Sequence, residues 1–328
     1  MIISRTPLRI SFFGGGTDFP LWYNKNGGSV ISTTIDKYIY ISTRSLDSFF
    51  KHNLRISYSI VEEVENVNLV KHPSVREVLK FLKIKKGIEI HYDGDLPGKS
   101  GLGSSSSFTV GLLNCLNFYL GNKYSKSKLL QNSLFIEQKK IRDIVGSQDQ
   151  VAAVYGGLNN IKFSKHNIKV NKINLSHLKL TNLQDNLLLV YTGILRSSND
   201  IVKTFYHKMN YKNKMLDGIN SLTNEALKIL KNGSIDDFGL LLNETWQLKK
   251  KLSSEVTNPR INNIYQKALK AGAIGGKLLG AGGGGFLLLY ANKKEHENIK
   301  KNLSKYIFVP FQFENTGSKI IYNSNKSL

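Results

Sequence analysis

Pro97-Gly98-Lys99-Ser100-Gly101-Leu102-Gly103-Ser104-Ser105-Ser106-Ser107 separates two runs of different character. Before it, residues 88–92 alternate apolar and polar side chains, which predicts a strand. After it, residues 108–120 place apolar residues at helical spacing. Glycines followed by serines at a helix start present free backbone N–H groups and hydroxyls, with the positive end of the helix dipole behind them. That combination makes an anion site, and phosphate is the usual anion. A plain loop ending in a serine N-cap would use the same residues, so the meaning of the stretch depends on the rest of the chain.

Upstream, residues 1–12 alternate, with Leu8, Ile10 and Phe12 on one face of an expected strand and Arg9 and Ser11 on the other. Gly14-Gly15-Gly16-Thr17-Asp18 follows as a tight turn that lets backbone approach a neighbour closely. Residues 30–43 and 55–59 are expected strands and 73–82 a short helix. Downstream, residues 125–144 predict a helix with the stripe Leu130, Leu134, Ile141 and Ile144, and Glu137 sits on that stripe. A carboxylate on a buried face is costly unless it is paired or binds a cation; a partner arginine or a position at the edge of the stripe is the alternative. Residues 146–150 end this helix and lead into a short one over 151–155. Asp149 could serve as its N-cap, but Ser147 and Gln150 also fit a capping box, which leaves the aspartate free for chemistry.

A division near Leu183 separates this half from a more helical one. Residues 187–192 form an expected strand. Helices are expected over 212–230, over 235–252 (stripe Phe238, Leu241, Thr245, Leu248, Leu252) and after Pro259. The glycine tract 275–285 leads into a strand over 286–290. A helix over 294–303 and strands near 309–313 and 318–322 close the chain. Strands and helices mix without a strict βαβ alternation, so the expected class is α+β. Two nucleotide-loop patterns fail here. Residues 94–100 miss the G-x-x-x-x-G-K-S spacing by one residue, and residues 280–285 fit G-x-G-x-x-G but precede a strand where a dinucleotide fold needs a helix.

With 328 residues the chain has room for two domains, and 41% hydrophobic residues is ordinary for a globular protein. Cys115 is the only cysteine, so no internal disulfide can form. The net charge of +22 comes mostly from lysines spread along the chain without a dense basic block, which argues against a nucleic-acid footprint. No segment approaches membrane-spanning length and no apolar signal opens the chain, so a cytoplasmic protein with no membrane partner is expected.

Arg5-Thr6-Pro7-Leu8-Arg9 through Asp18, Pro97 through Ser107, and Lys277 through Phe286 occur in one order along nearly the whole chain. In these three motifs the chain resembles the small-molecule kinases named after galactokinase, homoserine kinase, mevalonate kinase and phosphomevalonate kinase, the GHMP kinases. The resemblance implies two α+β domains with the site in the cleft between them. One is an ATP-binding N-terminal domain, 1–183, similar to a ribosomal-protein domain; the other is a ferredoxin-like C-terminal domain, 184–328. Galactokinases carry Gly-Glu-His-Thr-Asp where this chain has Gly14 to Asp18. In that turn the chain is most similar to sugar-1-kinases acting on D-glycero-D-manno-heptose 7-phosphate, although fucose-type kinases share the glycine version.

Carried over by position, the resemblance implies that Gly98, Ser100, Gly101, Leu102, Gly103, Ser104, Ser105 and Ser106 wrap the ATP phosphates. Ser105 (or Ser104) and Glu137 would bind Mg2+, Asp149 would be the catalytic aspartate, and Arg9 would steady it. Asp18 would hold a sugar hydroxyl, with Gly15, Gly16 and Thr17 in its turn. Gly193 and Arg196, after Thr192, would touch substrate, and the tract 280–284, with Gly282 and Gly283, would pack on the phosphate loop and shape the acceptor site. A cation for the substrate's own phosphate would come from Arg5, Arg196, Lys277 or Lys99. The implied partners are ATP and a sugar phosphate, without nucleic acid, in a monomer or homodimer. The implied role is nucleotide-activated heptose for a surface glycan.

Overall fold

Residues 1–196, 198–207, 209 and 213–324 are described by the structure, a computed structural model. The alternating start of the chain forms β1 (Ile2–Phe13), and Pro20, with its missing N–H and fixed φ, opens the short helix α1 (Pro20–Asn26). The β-branched run becomes β2 (Gly28–Ser45), antiparallel to β1 between Ile31 and Thr43. The register shifts between Pro7 and Leu8, where the proline has no N–H to give the ladder. Then come β3 (Leu54–Ser57), β4 (Val61–Val64), α2 (Pro73–Phe81) and β5 (Ile88–Gly94). The sheet runs β13-β1-β2-β5-β3-β4, where β13 spans Lys319–Asn323, and among the described residues only β3 and β5 pair in parallel.

Helices α3 (Ser104–Tyr119), α4 (Lys126–Phe135) and α5 (Gln148–Tyr155) follow, then the hairpin β6 (Asn159–Phe163) and β7 (Ile168–Lys172), and α6 (His177–Asp185). Helix α3 begins four residues before the apolar run because its first turn is serine. The helix expected over 125–144 is interrupted. Helix α4 ends at Phe135, a π-helical turn spans Ile136–Ile141, and Arg142 in the left-handed region (φ 63°) stops it, so Ile144 lies in the following loop. The wider turn breaks the 3.6 period on which the longer helix was read. The expected capping box is also absent. Ser147 Oγ is engaged by Tyr23 and Gln138, the Gln150 amide donates to Glu137, and α5 starts at Gln148 with Asp149 in its first turn.

A second sheet, β11-β8-β10-β9, is antiparallel throughout. Its strands are β8 (Leu187–Tyr191), β9 (Ala273–Leu278), β10 (Phe286–Ala291) and β11 (Ile307–Phe308). The helices of this half are α7 (Ser198–Tyr206), α8 (Asn213–Asn232), α9 (Ile235–Lys250), α10 (Pro259–Lys270) and α11 (His296–Asn302). Lys212, expected to begin the α8 helix, lies outside the described residues. The final strands, β12 (Phe313–Glu314) and β13, return to the first sheet on β2 and β1. Apolar packing ties the halves together: Phe12 and Phe13, at the end of β1, meet Phe238 of α9 edge-on at centroid distances of 5.3 and 5.0 Å. The far end of β1 is thereby fixed at the junction of the two sheets, and the functional groups gather there.

Candidate active site

The loop before α3 turns by means of left-handed residues, with Lys99, Gly101 and Gly103 at φ 56°, 86° and 77°. Its shape is set by backbone on backbone. A Cβ on Gly101 would stand 2.6 Å from the Leu279 carbonyl oxygen, and one on Gly280 would stand 2.5 Å from Gly101 Cα. Phe286 N donates to the Ser100 carbonyl at 3.1 Å. The C-terminal glycine tract therefore holds the loop without side chains between them, and the N-terminus of α3 opens on a cavity of about 270 Å³.

Arg9 projects from β1 into this cavity and is itself buried. Its Nε donates to Asp149 Oδ1 at 2.8 Å and its Nη2 to Oδ2 at 2.9 Å, while Nη1 donates to the Gly101 carbonyl. A planar guanidinium matched to both carboxylate oxygens fixes the carboxylate's orientation. The Asp149 side chain stays 26% exposed, toward the cavity. Gly103 makes room for the pair, since a Cβ there would lie 3.2 Å from Arg9 Cγ and 3.4 Å from Asp149 Cγ.

Glu137 is buried behind the cavity wall by the π-helical turn. Its Oε2 accepts from Ser106 Oγ at 2.8 Å and from Gln150, while Oε1 has no partner. Burial pushes its pKa up to about 7 against the lowering effect of those donors. Among the described residues, no cluster of three or more His, Cys, Asp or Glu side chains could hold a metal ion. Asp18 is also buried, with Oδ1 accepting from Gly16 N at 3.0 Å. Burial first, and then the Asp149 charge, raises its pKa above the ordinary carboxylate value.

Two lysines complete the wall. Lys277 of β9 donates to the Phe12 carbonyl at 2.7 Å; Lys249 of α9 donates to the Leu278 carbonyl at 3.3 Å and to that of Gly280. Burial, then repulsion from Arg9, lowers the Lys249 pKa to about 8. Burial, Lys249 and Arg9 hold Lys277 well below its ordinary value, and Asp18 opposes both shifts.

Of the residues expected from sequence, Arg9, Asp149, Asp18, Gly15, Gly16, Gly101, Gly103, Ser104, Ser105, Ser106, Lys99 and Lys277 line the cavity. Several others do not. Gly98 and Leu102 lie off the wall; Leu102 is core, and its carbonyl accepts from Arg9 N. Ser100 is buried and spends its carbonyl on β10. Ser105 lines the cavity but is exposed, and the hydroxyl on Glu137 belongs to Ser106. Arg5 stacks over Tyr38 at 4.2 Å and pairs with Glu314 at 3.7 Å, so it is diverted from the site. Thr17 donates to the Gly14 and Ser29 carbonyls and locks its turn. Gly193 and Arg196 are exposed outside the cavity, and Gly282 and Gly283 pack on Val256 and Ile201.

Sequence reading did not single out Ser11, Gln148, Asn199 or Lys249, all of which face the cavity. Ser11 Oγ and Gln148 Oε1 are buried there without partners. Ser11 shares the strand face of Arg9. Lys249 follows Thr245 by four residues on the buried stripe of α9, the same anomaly that marks Glu137.

The family model for the N terminal domain of GHMP kinases matches residues 68–157, and that for the GHMP kinases C terminal domain matches 226–307, together just over half the chain. A D-glycero-alpha-D-manno-heptose 7-phosphate kinase of Campylobacter jejuni is 30% identical over 317 residues, covering 93% of each chain. The L-fucokinase/L-fucose-1-P guanylyltransferase of Bacteroides fragilis is 27% identical over 89% of this chain, which spans 34% of that longer protein. Among solved structures, a D-glycero-D-manno-heptose 1-phosphate kinase of Bacteroides thetaiotaomicron superposes with a TM-score of 0.80 over 98% of this chain and 100% of its own, at 22% identity, and so shares the fold.

Proposed function

The chain belongs to the GHMP kinase family, and from that premise we propose that it transfers the γ-phosphoryl group of ATP to the anomeric C1 hydroxyl of D-glycero-D-manno-heptose 7-phosphate. The product is the 1,7-bisphosphate. The observation that carries the reading is the Arg9–Asp149 pair set beside the 101–106 loop in one cavity. The choice of sugar draws its support from the 30% identity to the heptose 7-phosphate kinase and from the acid-free turn of Gly14 to Gly16. An acceptor that brings its own negative phosphate gains nothing from an added acid there. As part of the same proposal, residues 1–183 form the ATP-binding domain and 184–328 the second domain, with strands β12 and β13 crossing back.

Phosphoryl transfer passes through a loose transition state, so positioning and charge neutralisation account for most of the acceleration. The N-terminus of α3 and the loop N–H groups receive the nucleotide phosphates. Asp149 takes the proton of the C1 hydroxyl, the hydroxyl oxygen bonds to the γ-phosphorus, and the bond to the β–γ bridging oxygen breaks as ADP leaves. Arg9 keeps the carboxylate aimed at that hydroxyl. Glu137 and Ser106 fit Mg2+: hard oxygen donors, one of them a buried carboxylate oxygen without a partner. Bound there, the ion would offset the charge of the nucleotide phosphates. Glu137→Gln is expected to raise the magnesium concentration needed for half-maximal rate, and an unchanged magnesium titration would remove Glu137 as a ligand.

Assaying ATP with heptose 7-phosphate, free heptose, galactose, fucose and mevalonate side by side tests the substrate. The phosphorylated heptose should have the highest kcat/KM; faster turnover of fucose or galactose would overturn the choice of sugar.

A further inference from the structure

Arg9 is neutralised by Asp149, but Lys249 and Lys277 are not matched in this way. Their residues are only 6% and 2% exposed, and among the described residues neither ammonium forms an ion pair with a carboxylate. Asp18 is the acid whose charge acts on both. An ammonium carries three N–H donors. Lys249 uses two on carbonyls and Lys277 uses one, so among the described residues three of the six donors have no protein acceptor. Burying cationic donors in this state is costly unless an anion completes them. Both side chains line the cavity, so the anion can reach them.

Their anchors lie on two different parts of the cavity wall. Lys277 is anchored on the Phe12 carbonyl, at the strand end that leads into the Gly14–Asp18 turn. Lys249 is anchored on Gly280, at the seam where the glycine tract meets the phosphate loop. The dyad therefore bridges the Gly14–Asp18 turn and the seam of the glycine tract with the loop before α3.

We propose that Lys249 and Lys277 together form a second phosphoryl-binding point in the cavity, completed by an oxyanion held between the Gly14–Asp18 turn and the loop before α3. This assignment rests on the sugar-phosphate kinase reading above and supplies the recognition element that reading lacks. Two groups have this chemistry: the phosphate ester that the acceptor carries, and the γ-phosphoryl group during transfer.

Steady-state kinetics of the wild type, Lys249→Met, Lys277→Met and Lys249→Arg, with heptose 7-phosphate and with free heptose, separate these sources. If the acceptor's ester is bound, each Met variant raises KM for heptose 7-phosphate on the order of 10–100-fold. The KM for ATP stays unchanged, the preference over free heptose collapses, and Lys249→Arg recovers part of the loss. If the γ-phosphoryl group is bound, kcat falls by a similar factor with both acceptors. Unchanged kcat and KM in folded Met variants overturn the dyad. Thermal melts with and without inorganic phosphate give a readout independent of turnover. Phosphate should stabilise the wild type, and Lys249→Met should lose most of that shift; equal shifts in both also overturn the dyad. If the wild type does not phosphorylate heptose 7-phosphate, the substrate reading fails, and the phosphate-dependent melts still decide the dyad.

Discussion

Asp149 reaches its position only because three neighbours leave it one orientation. Arg9 grips both carboxylate oxygens, Gly103 has no Cβ to push them away, and the first turn of α5 carries the residue to the cavity. Asp149→Asn keeps the shape and removes the proposed base. It should lower kcat by about 10²–10⁴-fold while nucleotide binding, followed by titration, is retained; a kcat within a few-fold of wild type would reduce Asp149 to a first-turn helix residue. Lys249 makes a prediction of the opposite kind, about stability. Its folded pKa of about 8 lies below the ordinary lysine value of 10.5, so the fold resists the charged form. The resulting destabilisation is fully present below about pH 8 and disappears as the pH rises toward 10.5. Its size is on the order of 3 kcal/mol. The unfolding free energy of Lys249→Met minus that of the ligand-free wild type should therefore shrink between pH 8 and 10.5. A difference independent of pH would show that Lys249 is not held in the folded state as described.

At the scale of elements, the loop before α3 and the glycine tract act as one part. The contact between Gly101 and Gly280 leaves no space for a methyl group, and Gly280 has φ 71°, a conformation that costs a residue with a Cβ about 1–2 kcal/mol. Gly280→Ala should push the loop out of place and raise KM for ATP by about tenfold or more; an unaltered KM would mean that the loop holds its shape without the tract. The π-helical turn is the other element with a functional consequence. It places Glu137 inside the protein, where a regular helix would have run on toward Ile144. Such a turn is not visible in periodicity, because its extra residue only appears as a phase error in the apolar stripe.

Across the whole molecule, the site depends on how the two sheets are joined. Phe238 packs on both Phe12 and Phe13, next to the strand segment that carries Arg9 and Ser11. Phe238→Ala should destabilise the protein by about 3–5 kcal/mol in denaturant titrations. Activity should fall before the unfolding midpoint is reached, since the junction positions Arg9 and Ser11 on the cavity wall. A cost under 1 kcal/mol would mean that the sheets are held together elsewhere.

The chain's own sequence determined the glycine–serine loop before α3, the strand that feeds it, the glycine turn before Asp18, and the anomalous carboxylates Glu137 and Asp149. These are local features: a left-handed φ selects glycine, and a charge on an apolar stripe stands out within four residues of its neighbours. Only the tertiary structure decided which polar side chains meet. Arg5 and Arg9 look equivalent on one strand, yet Arg5 goes to Tyr38 and Glu314 while Arg9 meets a carboxylate 140 residues away. Ser106 rather than Ser105 touches Glu137 because one residue along a helix turns the side chain by about 100°. Lys249 lies in a run of three lysines that reads as a solvated helix end, and it becomes a buried cation only when β9 and the glycine tract pack over it. The physical reason is the same in each case. Backbone conformation is set by a few consecutive residues, whereas the charge environment of a side chain is set by whatever the fold brings against it.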